Sequence, residues 1–173
     1  PPPRTLVPRI LAALAAGVVT LGALPSAYAA PIVRSTVTED IEAPEGVAGS
    51  IDGSDSTITV GTEGGGTSPR IKRSSSRYGS VSGSYYSGPA PTASAASPFT
   101  LQRGSAVIRS GTMQYVYGSK VDVRSERYGT AYVQVTGSSV TITGGETNYV
   151  VGGYARASGD RVTTEVAVRG NVV

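Results

Sequence analysis

Apolar and polar residues alternate in four short segments of the second half of the chain, and no other feature constrains the fold as strongly. The segments cover residues 120–124, 131–136, 140–143 and 162–169. A period of two residues puts alternate side chains on opposite faces of a strand, so each segment predicts a strand with one buried face. Gly- and Ser-rich turns separate the segments and no amphipathic helix interrupts them. We therefore predict an all-β fold: a small antiparallel β-sandwich, a barrel or a β-roll.

The alternation also predicts which side chains are buried. The apolar residues on the predicted inner faces are Val121, Val123, Ala131, Val133, Val135, Val140, Ile142, Val162, Val166 and Val168. Their neighbours in the same segments are mostly polar or charged, and we expect those side chains to face the solvent.

Disulfides are excluded because the chain has no Cys, and large rings are scarce, with no Trp and one Phe. The Val, Ile, Thr and Tyr side chains that remain suit a pleated sheet. Burial of a Val or Ile contributes only about 1.5–3 kcal/mol, and small domains without disulfides often need another source of stability. We therefore predict that the last strand, residues 162–169, stays an unpaired edge through which two copies associate.

The first thirty residues have the organisation of an export signal. Arg4 and Arg9 precede an apolar stretch at residues 10–24, and residues 27–29, Ala-Tyr-Ala, have the small-x-small pattern that signal peptidase cleaves. We predict a signal peptide over residues 1–30. The protein would then be secreted to a periplasmic or extracellular location and would keep no membrane span after cleavage.

Charge and composition divide the rest of the chain into three regions. Residues 31–66 are acidic and Gly-rich with one predicted strand at 57–60, residues 67–98 are basic and of low complexity, and residues 99–173 contain the alternating segments. The middle region has too few apolar side chains to offset the ~1–2 kcal/mol per residue that backbone ordering costs. We predict that residues 67–98 form a disordered Ser/Gly/Pro-rich tether in front of a β domain at 99–173.

Basic and aromatic side chains are concentrated in this predicted tether. Arg, Lys and Tyr together suit contact with an anionic surface. The candidate contacts are Arg70, Lys72, Arg73, Arg77, Tyr78, Tyr85 and Tyr86. Because export makes a nucleic-acid partner unsuitable, we expect an anionic polysaccharide, the envelope surface or an envelope protein. A spacer that binds nothing is the alternative.

Catalytic chemistry has few possible donors in this sequence. Without His or Cys, the chain cannot build a Ser-His-Asp triad or the usual zinc and iron–sulfur sites. A calcium-loop pattern at residues 52–63 lacks the Gly that its sharp turn needs. Asp122 and Glu165 fall on outward faces of predicted strands, which disfavours a carboxylate-based glycoside hydrolase. We predict a non-enzymatic protein with no catalytic residue, no metal site and no cofactor, and the glycoside hydrolase is the least favoured alternative.

Internal similarity is present but irregular. Residues 53–59 resemble 137–143, residues 77–80 resemble 127–130, and residues 108–110 resemble 123–125. A stacked β-solenoid produces such similarities. No single period relates all three pairs, so the solenoid is a minor alternative to the antiparallel fold.

The C-terminal region resembles the FecR-type β domain of bacterial envelope proteins. Residues 144–151, Gly-Gly-Glu-Thr-Asn-Tyr-Val-Val, resemble that family's Gly-Glu-aromatic-Val segment, and residues 162–170 resemble its later strand, which ends in Val-Arg-Gly. Asn171 departs from the family pattern, in which Thr is usual at that position. The resemblance implies a non-enzymatic β module in envelope signalling or scaffolding and transfers no site residues.

Export, the scarcity of catalytic donors and the tethered β domain lead to one functional prediction. We expect a secreted, non-catalytic structural or adhesive protein of the cell envelope or its surroundings, associating with itself through β edges. The alternative is a periplasmic FecR-like sensing or protein-binding module.

Overall fold

The computed structural model describes residues 30–51, 53–73, 77–89, 91–124, 129–158 and 162–169. The predicted signal peptide, apart from Ala30, lies outside these residues. The described elements are β1 (Ile32–Val33), β2 (Thr36–Val37), β3 (Ile41–Glu42), β4 (Val47–Ile51), β5 (Thr57–Val60), a 3-10 helix (Glu63–Gly65), β6 (Ile71–Arg73), β7 (Arg77–Tyr78), β8 (Ser80–Pro89), β9 (Phe99–Gln102), β10 (Ser105–Ile108), β11 (Thr112–Arg124), β12 (Gly129–Thr136), β13 (Ser139–Ile142), β14 (Glu146–Ser158) and β15 (Val162–Arg169).

The strands stack into a β-solenoid of about three turns. They pair in parallel except for β6 and β7, which are antiparallel in a small separate sheet, β3-β6-β7. One wall is the sheet β1-β4-β8-β11-β14, which we call the long sheet. The facing wall consists of two shorter sheets, the first opposing sheet β2-β5-β10-β13 and the second opposing sheet β9-β12-β15. Ser105 of β10 pairs with Ser139 of β13, 34 positions further along the chain, so neighbouring strands here belong to successive turns.

The predicted antiparallel sandwich, barrel or β-roll is therefore wrong, whereas the all-β prediction is confirmed. Alternation indicates a strand with one buried face and carries no information about the direction of its neighbours. The turns at residues 103–104 and 137–138 are corners that pass the chain from the second opposing sheet to the first. They are not hairpins that return a strand to its predecessor, and β9 pairs with β12 while β10 pairs with β5 and β13.

The similarity between residues 53–59 and 137–143 corresponds to a real stack in the first opposing sheet. Thr57 aligns with Ser105, and Ser105 aligns with Ser139. The sequence comparison paired Thr57 with Thr141 instead, a shift of two residues along the strand. Intervening turns of unequal length hide the repeat, because β5 and β10 are further apart in sequence than β10 and β13.

The disordered tether predicted for residues 67–98 is also wrong. This region contains β6, β7 and β8, and β8 lies between β4 and β11 in the middle of the long sheet. Val81 and Ser84 of β8 have no exposed side-chain surface, and Tyr85 is only 3% exposed. Neighbouring turns supply both the hydrogen-bond partners and the apolar cover that this segment does not provide for itself.

Two apolar clusters fill the interior, one on each side of the middle of the long sheet. The first lies against the first opposing sheet and β6, and includes Val37, Ala43, Val47, Ile58, Val60, Ile71, Val81, Ala106, Ile108, Met113, Val116 and Val140. The second lies against the second opposing sheet and includes Leu101, Val121, Val123, Ala131, Val133 and Val135. In the first cluster Val47, Val81 and Val116 form a column in successive strands.

Most of the predicted inner-face residues are buried. The prediction is confirmed for Val121, Val123, Ala131, Val133, Val135 and Val140. It is wrong for Ile142, which is 39% exposed although it continues the column of the buried Ile108. The side chains of Val162, Val166 and Val168 lie outside the described part of the structure.

A column of glycines separates the two clusters. The register of the long sheet places Gly49, Gly83, Gly118 and Gly152 side by side. A Cβ atom on Gly83 would lie 2.5 Å from the carbonyl oxygen of Gly118 and 2.6 Å from that of Ser105. The backbone of the long sheet therefore touches the backbone of the first opposing sheet, and no side chain fits between them.

Buried serines line the interior beside this column. The hydroxyls of Ser56 and Ser84 are 2.9 Å apart, and the Ser138 hydroxyl donates to that of Ser119 at 2.7 Å. Ser84, Ser119 and Ser138 have no exposed side-chain surface, and every buried side-chain polar atom in the described residues has a hydrogen-bond partner. We call Ser56, Ser84, Ser119 and Ser138 the serine seam. It fills a space too narrow for larger residues without leaving a polar group unpaired.

The glycine column leads to a stability prediction. Gly118→Ala puts a methyl group against the carbonyl oxygen of Gly152 and 2.8 Å from the backbone nitrogen of Ser139. Because both obstacles are backbone, we expect a loss of about 1–3 kcal/mol or more in the free energy of unfolding, measured by urea denaturation.

The matched control is Gly66→Ala. Gly66 is exposed and already has right-handed helical dihedral angles, with only the Thr62 hydroxyl oxygen near the new methyl group, at 3.3 Å. We expect a change within about 0.5 kcal/mol. Equal stabilities of the two variants would contradict a backbone contact at the glycine column.

Candidate functional site

Tyrosines gather on the outer face of the long sheet. β11 carries Tyr115 and Tyr117, while β14 carries Tyr149 and Tyr154. The parallel register places Tyr115 beside Tyr149. It also places Lys120 of β11 between Tyr85 of β8 and Tyr154 of β14. We call Tyr85, Tyr115, Tyr117, Tyr149, Tyr154 and Lys120 the tyrosine face.

Three of these rings are nearly parallel. The rings of Tyr115 and Tyr149 stack with centroids 4.9 Å apart, and those of Tyr115 and Tyr117 are 6.1 Å apart. The ring of Tyr154 is tilted against that of Tyr117 at 5.5 Å. Stacking covers the ring faces inside the series, whereas Tyr149 in the last strand of the sheet is 55% exposed. Such contacts stabilise the sheet and also leave ring edges and hydroxyls available to a ligand.

Lys120 lies above two of the aromatic rings. Its Nζ atom is 5.3 Å from the ring centre of Tyr85 and 5.5 Å from that of Tyr117. Loss of solvent around this ammonium lowers the pKa of Lys120, and the opposing attraction of Asp122 and Glu45 does not restore it. The cations Arg73 and Arg156 lower it further.

The two tyrosines beneath Lys120 remain neutral at physiological pH. Burial raises the pKa of Tyr117 to about 12. Burial is also the main reason why the pKa of Tyr85 is raised, and a hydrogen bond with Ser87 acts in the opposite direction. Lys120 therefore lies over ring faces, and among the described residues the carboxylates of Asp122 and Glu45 favour its charged form without offsetting the loss of solvent.

A groove of about 110 Å³ opens beside Lys120. Its lining includes Glu45, Arg73, Tyr78, Tyr115, Tyr117 and Lys120. A guanidinium nitrogen of Arg73 is 3.9 Å from a carboxylate oxygen of Glu45, a loose ion pair in which Arg73 remains largely exposed. The groove thus combines two cations, one acid and three aromatic rings.

Three of the residues predicted from the sequence belong to this region. Arg73 and Tyr78 line the groove, and Tyr78 is 44% exposed. Tyr85 lies under Lys120 and is buried, so its ring supports the site without facing the solvent. Whether these residues contact an anionic ligand stays a prediction.

The other residues predicted to contact an anionic surface do not line the groove, or their side chains lie outside the described part of the structure. Arg70 is exposed, and its backbone N–H donates to the Asp40 carboxylate at 2.8 Å. Lys72 is half-buried on β6. Tyr86 packs against Phe99 with ring centroids 4.6 Å apart and donates its hydroxyl to the Pro89 carbonyl oxygen. The side chain of Arg77 lies outside the described part of the structure.

Sequence reasoning missed Tyr115, Tyr117, Lys120, Tyr149 and Tyr154. These residues do not form one continuous basic and aromatic segment, because the solenoid assembles the tyrosine face from three strands, β8, β11 and β14, in successive turns. The usable signal was the spacing of Tyr115 and Tyr149, which equals the spacing of Ser105 and Ser139.

The tyrosine face and its groove offer groups for ionic, polar and aromatic contacts. The face supplies phenols and the Lys120 ammonium, the groove adds Arg73 and Glu45, and Asp122 lies near Lys120. Among the residues with described positions, no group of three or more acidic side chains could hold a metal ion. No helix in the described ranges is long and apolar enough to cross a membrane.

The lowered pKa of Lys120 leads to a prediction on pH and stability. The unfolded chain binds the lysine proton more tightly than the folded chain, so at neutral pH the charge lowers the free energy of unfolding. This cost disappears as the pH rises through the lowered folded pKa towards the ordinary value of 10.5. We expect Lys120→Met to raise the melting temperature at pH 7 and to lose the alkaline gain in stability that the wild type shows.

The control is Lys120→Arg, which keeps the positive charge and should not gain stability at pH 7. Thermal unfolding of the three proteins between pH 7 and the onset of tyrosine ionisation measures the difference. A Met variant less stable than the wild type at pH 7 would show that the ring contacts outweigh the loss of solvent around the ammonium.

Comparisons of the chain with protein-family profiles, with curated proteins and with solved structures find no match. The resemblance of residues 144–151 and 162–170 to FecR-type β domains therefore stays a prediction. In the structure, residues 146–151 lie on β14 and Val162–Arg169 forms β15, both in parallel sheets.

Proposed function

We propose that the protein is a secreted, non-catalytic adhesive or structural protein that binds anionic polysaccharide through the groove of the tyrosine face. The observation that carries the proposal is the meeting of Arg73 and Lys120 with Tyr78, Tyr115 and Tyr117 around one groove. Export remains the proposal made from residues 1–30, and it would place this face among envelope and extracellular glycans.

Electrostatics favour an acidic ligand. The two cations of the groove face one lining carboxylate, Glu45, and the nearest contact between Arg73 and Glu45 is as long as 3.9 Å. A carboxylate or sulfate beside Lys120 would favour its charged form, which the protein itself disfavours. Ligand binding and protonation of Lys120 would then support each other.

The shape of the groove favours a polymer over an enclosed small molecule. Pockets that engulf small ligands usually have volumes of about 300–1,000 Å³, whereas this groove has about 110 Å³. A groove of this size cannot enclose a small molecule, and the adjoining tyrosine edges offer further contacts along the sheet. Because aromatic rings and hydroxyls suit the apolar and polar faces of sugars, an acidic polysaccharide matches both the shape and the chemistry.

A binding experiment tests this function. Isothermal titration with a polyuronate such as alginate, compared with neutral dextran, should give binding to the polyuronate alone, weakened by added salt. Arg73→Gln and Tyr78→Ala should each weaken it about tenfold, because a hydrogen bond to a charged group contributes about 1.5–3 kcal/mol and 1.4 kcal/mol corresponds to tenfold.

Matched controls lie on the opposite wall of the solenoid. Arg109 is exposed after β10, and Tyr132 is half-buried on β12. Arg109→Gln and Tyr132→Ala make the same changes away from the groove and should leave the affinity unchanged. Equal binding of both polymers, or equal losses in the groove and control variants, would overturn the proposal.

A further inference from the structure

The two ends of the solenoid differ in how they cover the core. At the N-terminal end, β1, β2 and β3 contain two residues each, and Val37 and Ala43 are almost fully buried. At the C-terminal end, Ile142 is 39% exposed and Val150 is only partly buried. These two residues continue the columns of Ile108 and Val116, which are buried. Val33 and Ile51 near the N-terminal end are exposed as well, so in the described residues the C-terminal end differs in that the two core columns themselves reach the surface there.

The C-terminal end of the described stack has a long strand edge. β14 spans thirteen residues, and β11 is its only hydrogen-bonded neighbour among the described strands. β13 and β15 are likewise end strands of their sheets. An edge of this length presents a row of backbone donors and acceptors to a further strand.

We propose that the C-terminal end binds a second copy of the chain, with the two β14 strands antiparallel across a twofold axis. The lengths of the strands favour this arrangement over head-to-tail stacking. β14 offers thirteen residues, whereas β1 at the other end of the long sheet offers two. A twofold axis pairs strands of equal length and gives a closed dimer, because each copy uses the same surface.

Charge complementarity also selects the antiparallel direction. Glu146 and Arg156 are exposed near opposite ends of β14. Antiparallel pairing brings Glu146 of each copy near Arg156 of the other, whereas parallel pairing would put like charges together. In that register the exposed Tyr149 lies opposite Gly153 of the second copy and next to its Tyr154, which extends the tyrosine face across the interface.

The test is sedimentation equilibrium of the full chain over a series of protein concentrations. The wild type should fit a monomer–dimer equilibrium. Glu146→Arg and Arg156→Glu should each weaken the dimer about tenfold, because each replaces two opposite-charge contacts by two like-charge contacts. The double variant E146R/R156E restores both contacts with the signs exchanged, so it should dimerise like the wild type.

Arg109→Glu is the control for the change in net charge, and it should leave the dimer constant unchanged. A wild type that is monomeric throughout overturns the proposal, as does a dimer that either single reversal leaves intact. Masses that grow beyond the dimer would show head-to-tail stacking and overturn it too. Polyuronate binding by monomeric variants is measured separately, so failure of the dimer does not count against the proposed ligand.

Discussion

The contact between the two walls at the glycine column is the constraint on which the rest of the structure depends. Because Gly83 and Gly118 have no side chains, the long sheet approaches the first opposing sheet until backbone meets backbone. That contact divides the interior into two narrow clusters of Val, Ile, Leu, Ala and Met side chains, and only the second has rings, those of Tyr86 and Phe99, packed against it among the described residues. A chain with no Trp and a single Phe can therefore build a close-packed core, since the spaces are small.

Repetition makes up for the small size of the side chains. Each inner position stacks on an equivalent residue in the next turn, as Val81 does on Val116, and the serine seam pairs its own hydroxyls. A side-chain interaction between successive turns also connects two corners of the solenoid. Asp55 and Arg103 both have positive φ angles, and the guanidinium of Arg103 binds the carboxylate of Asp55 in the preceding turn with two hydrogen bonds. Non-glycine residues in this conformation are uncommon. Here the two residues that adopt it are the ones that bind each other across successive turns.

The same stacking that builds the core assembles the tyrosine face. A parallel register converts residues far apart in sequence into neighbours, so Tyr115 meets Tyr149 and Lys120 meets Tyr85. In the last described strands of the long sheet and the first opposing sheet, the Tyr149 ring and the Ile142 side chain are exposed. The parallel stack of the long sheet therefore gives rise to both proposed sites. The ligand groove lies on the outer face of this sheet, and the dimer interface lies along β14, its last described strand.

The sequence alone determined the all-β class, the inner faces of β11 and β12, and the corners that contain Gly104 and Gly137, because alternation and turn chemistry act over a few residues. It could not determine strand direction, since a buried face looks the same in parallel and antiparallel sheets. It also failed at residues 67–98, where β8 is buried by its neighbours and not by its own apolar content. Arg73 and Tyr78 were within reach of composition, whereas Lys120, Tyr115 and Tyr149 joined them only through the register. Tertiary structure decided these points because the partners of β8, β11 and β14 lie a full solenoid turn away, beyond the range of any local pattern.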